Sequence, residues 1–128
     1  MKTLPNSSLL SDHISYNSNR LEKVFDYMNQ CYHMQLTLAE VSKIADMPES
    51  SFCRFIKHRT GKTFVDSLNE IRVAQASRML IDTTNTVAEI ALKCGFINIS
   101  NFNRVFKRRK LCNPKDFREA YVGYKIFI

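Results

Sequence analysis

Glycine, histidine and long apolar runs are what this chain has least of. Three glycines among 128 residues form no glycine-rich loop that would cradle a phosphate. The three histidines at 13, 33 and 58 and the four cysteines at 31, 53, 94 and 112 make neither a close thiol pair nor a zinc-ligand pattern. No catalytic constellation emerges from the rest, so the chain is read as a non-enzyme with no cofactor and no metal. No apolar run approaches the ~20 residues of a membrane span, and the N-terminus lacks the continuous apolar core of a secretory signal. A cytoplasmic protein with no membrane partner is expected, its thiols reduced and in or near the core, with Cys53 set apart for a reason given below. Strand alternation is missing too, outside the short apolar tail YVGYKIFI, which leaves a mainly helical chain.

What is present is positive charge. Nineteen Lys and Arg against twelve Asp and Glu give +7, which favours polyanionic partners such as nucleic acid or an anionic surface. The surplus is uneven: residues 1–64 carry 8 basic and 6 acidic side chains, and residues 65–128 carry 11 and 6. The second half should bind anions harder.

Residues 1–18 are rich in Ser and Asn without sustained periodicity and read as a linker or mobile arm. From Asn19 the spacing of Leu21, Val24, Phe25 and Met28 predicts one face of a helix. Further helices are expected from Thr37 to about Asp46, from Pro48–Ser50 to Gly61, and from Phe64 to Ile81. A second series runs from Thr86 to Cys94, Asn98 to Lys110, and Pro114 to about Val122. Inside this pattern lies a repeat. TLAEVS at 37–42 matches TVAEIA at 86–91, FCRFIK at 52–57 matches FNRVFK at 102–107, and TFVDSL at 63–68 resembles NPKDFR at 113–118. The offset grows from 49 to 50, so one residue is inserted between the helices of the second copy.

Each copy reads as a capped helix, a tight turn and a second helix that is both apolar and basic. Thr37 with Glu40, and Thr86 with Glu89, have capping-box spacing. Ser42 and Ala91 supply the small residue needed where two helices cross. Gly95 suits a left-handed turn, and its counterpart Asp46 is a tolerated exception. The expectation is an all-α fold of about seven helices. Two helix-turn-helix subdomains (19–62 and 83–122) are joined by a linker helix (63–82) and followed by a tail (123–128). Two such units can read successive major grooves about 34 Å apart.

The stretch TVAEIALKCGFINISNFNRVFKRRKLCNPKDFREAY, with IRVAQASRML before it, resembles the DNA-binding domain of the AraC/XylS family of bacterial transcription regulators over about residues 20–121. The resemblance implies sequence-specific binding to double-stranded promoter DNA, usually followed by contact with RNA polymerase. It also implies an effector or dimerisation domain elsewhere, and residues 1–18 read as the linker to it, which favours a fragment over a naturally short activator. Three positions depart from the family pattern. Ile97 stands where a polar cap is common, so that Asn98 is the alternative cap. Leu111 stands where Gly is common, and Phe64 where Pro is usual.

In the first recognition helix Phe52, Phe55 and Ile56 are expected in the core, and the resemblance points to Ser50, Cys53 and Arg54 as base readers. A guanidinium such as that of Arg54 pairs with guanine O6 and N7. Cys53 is either a base contact or a half-buried helix residue. In the second, Phe102, Val105 and Phe106 are expected inside, leaving Ile99, Ser100, Asn101, Asn103 and Arg104 for the groove, with Arg104 alternatively clamping a phosphate or buttressing the helix. Phosphate contacts are assigned to Lys57, Lys107 and Arg108, and to the helix starts at Thr37 and Thr86. The other readings are a protein-interaction module and a nonspecific nucleic-acid-binding domain.

Overall fold

The computed structural model describes the backbone of residues 5–126 and the side chains of residues 17–122. Among these the fold is all-α, with seven helices: α1 (Pro5–Cys31), α2 (Leu38–Ile44), α3 (Glu49–Thr60), α4 (Phe64–Asp82), α5 (Val87–Lys93), α6 (Ile99–Lys110) and α7 (Pro114–Ile126). Six helices start or stop within a few residues of the sequence expectation. The exception is α1, whose backbone is helical from Pro5, where a linker or arm was expected up to residue 18. Hydrophobic periodicity reports a packed face and says nothing about helix in a Ser- and Asn-rich stretch. At the other end α7 runs through the tail to Ile126. Residues 1–4, 127 and 128 lie outside the described residues.

The chain divides into two compact units. The first holds α1 to Gln30 together with Leu36–Phe64. Its buried side chains are Val24 and Met28 of α1, Val41 and Ala45 around α2, and Phe52 and Ile56 of α3, with Phe64 edge-on to Phe52 at 6.2 Å. Apart from Ala45, each such burial stabilises the fold by roughly 1.5–3 kcal/mol before chain entropy is charged against it. Phe55, expected in the core, is only half-buried, and the Arg59 guanidinium lies over its ring at 5.9 Å.

The second unit holds Cys31–Gln35 and the chain from Val65 onward. Boundaries drawn along the sequence as contiguous segments do not carry that feature. Its core joins Val73, Ala76 and Leu80 of α4, Ile90 and Ala91 of α5, Cys94 and Phe96 of the turn, and Phe102, Val105 and Phe106 of α6. Phe117 of α7 packs against this cluster, edge-on to Phe106 at 5.3 Å. Arg118 of α7 donates to the carbonyls of Leu80 (2.9 Å) and Thr83 (3.1 Å). It thereby satisfies acceptors that the end of α4 leaves open.

The helix-turn-helix geometry follows from local bonding. In both copies the first helix closes with two reverse bonds: Met47 N–H to Ser42 O and Asp46 N–H to Lys43 O, and equivalently Phe96 N–H to Ala91 O and Gly95 N–H to Leu92 O. This pattern needs a left-handed residue, and it is supplied by Asp46 (φ 56°) and Gly95 (φ 93°). Ser42 is 3% exposed and Ala91 fully buried, as a close helix crossing requires. The extra residue of the second copy is Ile97, 73% exposed in the turn, and Asn98 takes over as the cap of α6, accepting from Asn101 N–H at 2.8 Å. The two capping boxes differ. The one at Thr86 is complete, with Thr86 N–H donating to Glu89 Oε1 at 3.0 Å and Glu89 N–H to Thr86 Oγ at 3.1 Å. At Thr37 only the hydroxyl half forms, because the Glu40 carboxylate accepts instead from the Thr37 and Tyr27 hydroxyls.

Candidate nucleic-acid interface

Helical spacing brings part of the sequence-nominated set onto one stripe in each second helix, and leaves Ile99, Asn101 and Arg108 to the sides of it. In α3, Ser50, Cys53, Arg54 and Lys57 are all exposed, and their spacing of three, four and seven residues places them on one face. In α6 the equivalent residues are Ser100, Asn103, Arg104 and Lys107, again all exposed. The opposite faces hold Phe52 and Ile56 in α3, and Phe102, Val105 and Phe106 in α6. Each of these two helices is therefore anchored by aromatic and aliphatic side chains and shows solvent a hydrogen-bonding face. The half-buried reading of Cys53 is not what the structure shows, since this thiol is exposed. Of the other cysteines, Cys94 is buried and Cys31 and Cys112 are intermediate.

Arg104 is held in place. Its Nη2 donates to Asn101 Oδ1 at 2.6 Å, which occupies the Asn101 carbonyl and orients the guanidinium along α6. Asn101 itself is half-buried, and Ile99 is 42% exposed beside it. Arg104 borders two concavities. One, of about 410 Å³, has Asn98, Ser100 and Asn101 on its wall; the other, of about 470 Å³, has Asn103, Lys107, Asn113 and Lys115. Sequence reasoning missed Lys115, since nothing in its local spacing says that the start of α7 lies beside α6.

The basic run at the end of α6 is divided by its partners. Arg109 donates to Asp66 O at 2.7 Å, and the Lys110 ammonium lies 5.9 Å from the Phe117 ring centroid. Lys107 and Arg108 remain as exposed cations. Thr37 and Thr86 are exposed at the starts of α2 and α5, but their hydroxyls already cap Glu40 N–H and Glu89 N–H. The Glu89 carboxyl is held below its ordinary range chiefly by the Thr86 backbone N–H, then by the Thr86 side chain. A phosphate approaching either helix start therefore meets a carboxylate as well as amide groups.

Among the described residues no three His, Cys, Asp or Glu side chains are grouped to hold a metal ion, and no helix is long and apolar enough to cross a membrane.

Comparison with known proteins agrees with this geometry. A family model described as a helix-turn-helix domain matches residues 41–120. The HTH-type transcriptional activator RhaR of Mannheimia succiniciproducens is 29% identical over 104 residues, which cover 81% of this chain and 38% of that protein. The HTH-type transcriptional activator RhaS of Klebsiella pneumoniae is 26% identical over 113 residues, 88% of this chain and 41% of that one. The chain thus spans about two fifths of the length of these curated relatives. The DNA-binding domain of AdpA, a global transcriptional factor solved in complex with a target DNA, has a TM-score of 0.78 at 28% identity, covering 81% of this chain and 94% of that one.

Proposed function

We propose, from the premise that this chain belongs to the helix-turn-helix domain family whose model matches residues 41–120, that it is the sequence-specific DNA-binding domain of an AraC/XylS-type transcription activator. The observation that carries the proposal is the repeated stripe: Ser50, Cys53, Arg54 and Lys57 on α3, and Ser100, Asn103, Arg104 and Lys107 on α6, all exposed above buried aromatic anchors. Protein structures use this pattern to lay a helix in the major groove.

In this reading α3 and α6 enter successive major grooves. Arg54 and Arg104 pair with guanine O6 and N7, Asn103 matches adenine N6 and N7, and Ile99 packs on a thymine methyl. Ser50, Cys53, Ser100 and Asn101 complete the set of base-reading candidates. Lys57, Lys107 and Arg108 hold phosphates and set register without reading sequence, and the starts of α2 and α5, where the Glu40 and Glu89 carboxylates stand, contribute less than these cations. The AdpA likeness and the +7 net charge support DNA as the partner. The activator names of RhaR and RhaS support activation, and with it contact with RNA polymerase. Those relatives are more than twice as long as the matched segment, in keeping with an effector or dimerisation domain outside it.

The test is selection of duplexes from a random pool, then titration of the winner and a scrambled control at several salt concentrations. An enriched site that the control cannot replace supports a sequence reader. Equal, steeply salt-dependent binding of both duplexes sinks it and leaves only electrostatic attachment.

A further inference from the structure

The two helix-turn-helix turns use the same backbone bonds but differ in what touches them. Asp46 is exposed and carries a Cβ. Gly95 is buried, and a Cβ built on it would stand 2.4 Å from the Tyr32 carbonyl oxygen and 2.9 and 3.0 Å from Nε and Nη2 of Arg72. A backbone oxygen that close cannot simply swing aside. Glycine is therefore required here by contact as well as by φ.

The groups pressed against Gly95 form a connected network. Arg72 of α4 is only 9% exposed. Its Nε donates to Tyr32 O and its Nη2 to Met34 O, both at 2.8 Å. The guanidinium lies 5.9 Å from the Phe96 ring centroid, and Phe96 packs on Phe102 of α6 at 5.0 Å. Gln35 Nε2 donates to Gly95 O at 3.1 Å. A guanidinium this buried is tolerated only when its donors are used. Those donors go to the segment between α1 and α2, which packs with the second unit.

We propose that Arg72 is a positioning residue for the second reading helix: it draws residues 32–35 across the Gly95–Phe96 turn, and the strap held there fixes the orientation in which α6 presents Asn103 and Arg104. The inference rests on the DNA-reading role proposed above and adds to it a residue that faces no DNA. It also makes the chain between α1 and α2 part of the second reader, so that specificity at one block of the site depends on a segment far away in sequence.

The experiment titrates the parent, Arg72→Lys, Arg72→Gln and Gln35→Ala with three duplexes: the selected site, the site with its first block scrambled, and the site with its second block scrambled. In parallel, the reaction of Cys94 and Cys53 with a thiol reagent is timed without DNA. For Arg72→Gln the second-block penalty should shrink by about tenfold or more while the first-block penalty stays. Cys94, buried beside the turn, should react faster and Cys53 at its parental rate. Arg72→Lys keeps the charge but not the two-pronged donor geometry, so it should behave like Arg72→Gln; parental behaviour would reduce Arg72 to a buried charge and overturn the proposal. Penalties that both persist, or that fall together, overturn it as well. Should Arg72→Gln fail to fold, Gln35→Ala removes one strap bond without stranding a charge, and a selective loss at the second block of about threefold is expected; no loss contradicts the strap. If the parent discriminates neither block, it is the DNA-reading role that fails. The Cys94 rate then judges the strap alone, faster in the variants for it and unchanged against it.

Discussion

Replacing Leu111 with glycine should stabilise the protein. Leu111 ends α6 at φ 63°, and its N–H bonds to Lys107 O at 2.8 Å. Gly61 holds the equivalent place after α3 at φ 76°, with the same bond to Lys57 O at 2.8 Å. A side chain in the left-handed region costs roughly 1–2 kcal/mol that glycine avoids. Leu111 is 86% exposed, so removing its side chain sacrifices little burial. Against this, glycine loses about 0.4–1 kcal/mol more entropy on folding. The difference leaves Leu111→Gly more stable by about 0.5–1 kcal/mol. The reciprocal change, Gly61→Leu, meets no atom within 4 Å of the new Cβ and should cost about the same amount. Urea titration followed by circular dichroism reads both changes as opposite shifts of the midpoint at constant slope. A stability loss in Leu111→Gly would refute the reasoning, because it would mean that the exposed leucine contributes more than its backbone conformation costs.

Other expectations follow from the same geometry. Arg54→Ala and Arg104→Ala should each weaken specific binding by roughly 1–3 kcal/mol in a duplex titration, while Lys107→Gln should lower the salt slope by about 1 without changing discrimination. If both arginine variants discriminate like the parent, the assignment of reading residues is wrong. Glu89, whose carboxyl is held low by the Thr86 amide, contributes stability that is present above the ordinary carboxylate range and lost as pH falls through its folded value. Glu89→Gln should therefore flatten the acid limb of a pH–stability curve, and an unchanged limb would count against the capping box. Burial raises the Cys94 thiol from 9.0 to about 11. Its contribution is whole below the ordinary thiol value and declines as pH rises from 9.0 toward about 11. Replacing Cys94 with alanine should remove that part of the alkaline decline, at the expense of a small cavity.

Local chemistry was legible in the sequence, and long-range bonding was not. The threonine caps, the glycine stop at Gly61, the left-handed Asp46 and Gly95 and the buried Phe102–Val105–Phe106 face all follow from residue type and spacing within a few positions, the cap at Asn98 follows from the family resemblance, and the structure has each of them. The repeat also placed one inserted residue between the helices of the second copy, and the structure puts Ile97 there, in the turn before the Asn98 cap. By contrast, Arg72, Arg109 and Arg118 read only as part of a basic surplus. Each reaches a backbone carbonyl 35 or more residues away, and no local pattern announces such a partner. The half-formed box at Thr37 was hidden for the same reason, because Tyr27, 13 residues earlier, competes for Glu40. The backbone helix between Pro5 and Asn19 carries no periodic apolar face in its sequence, and so gave no signal to read.

The central claim is that one chain reads DNA twice with two copies of one device. A hydroxyl-radical footprint of the parent on its selected duplex tests it most directly. Two protected blocks about 10 base pairs apart are predicted, with Arg54→Ala losing protection at one block and Arg104→Ala at the other. A single protected block, or two blocks that respond equally to both substitutions, would contradict it.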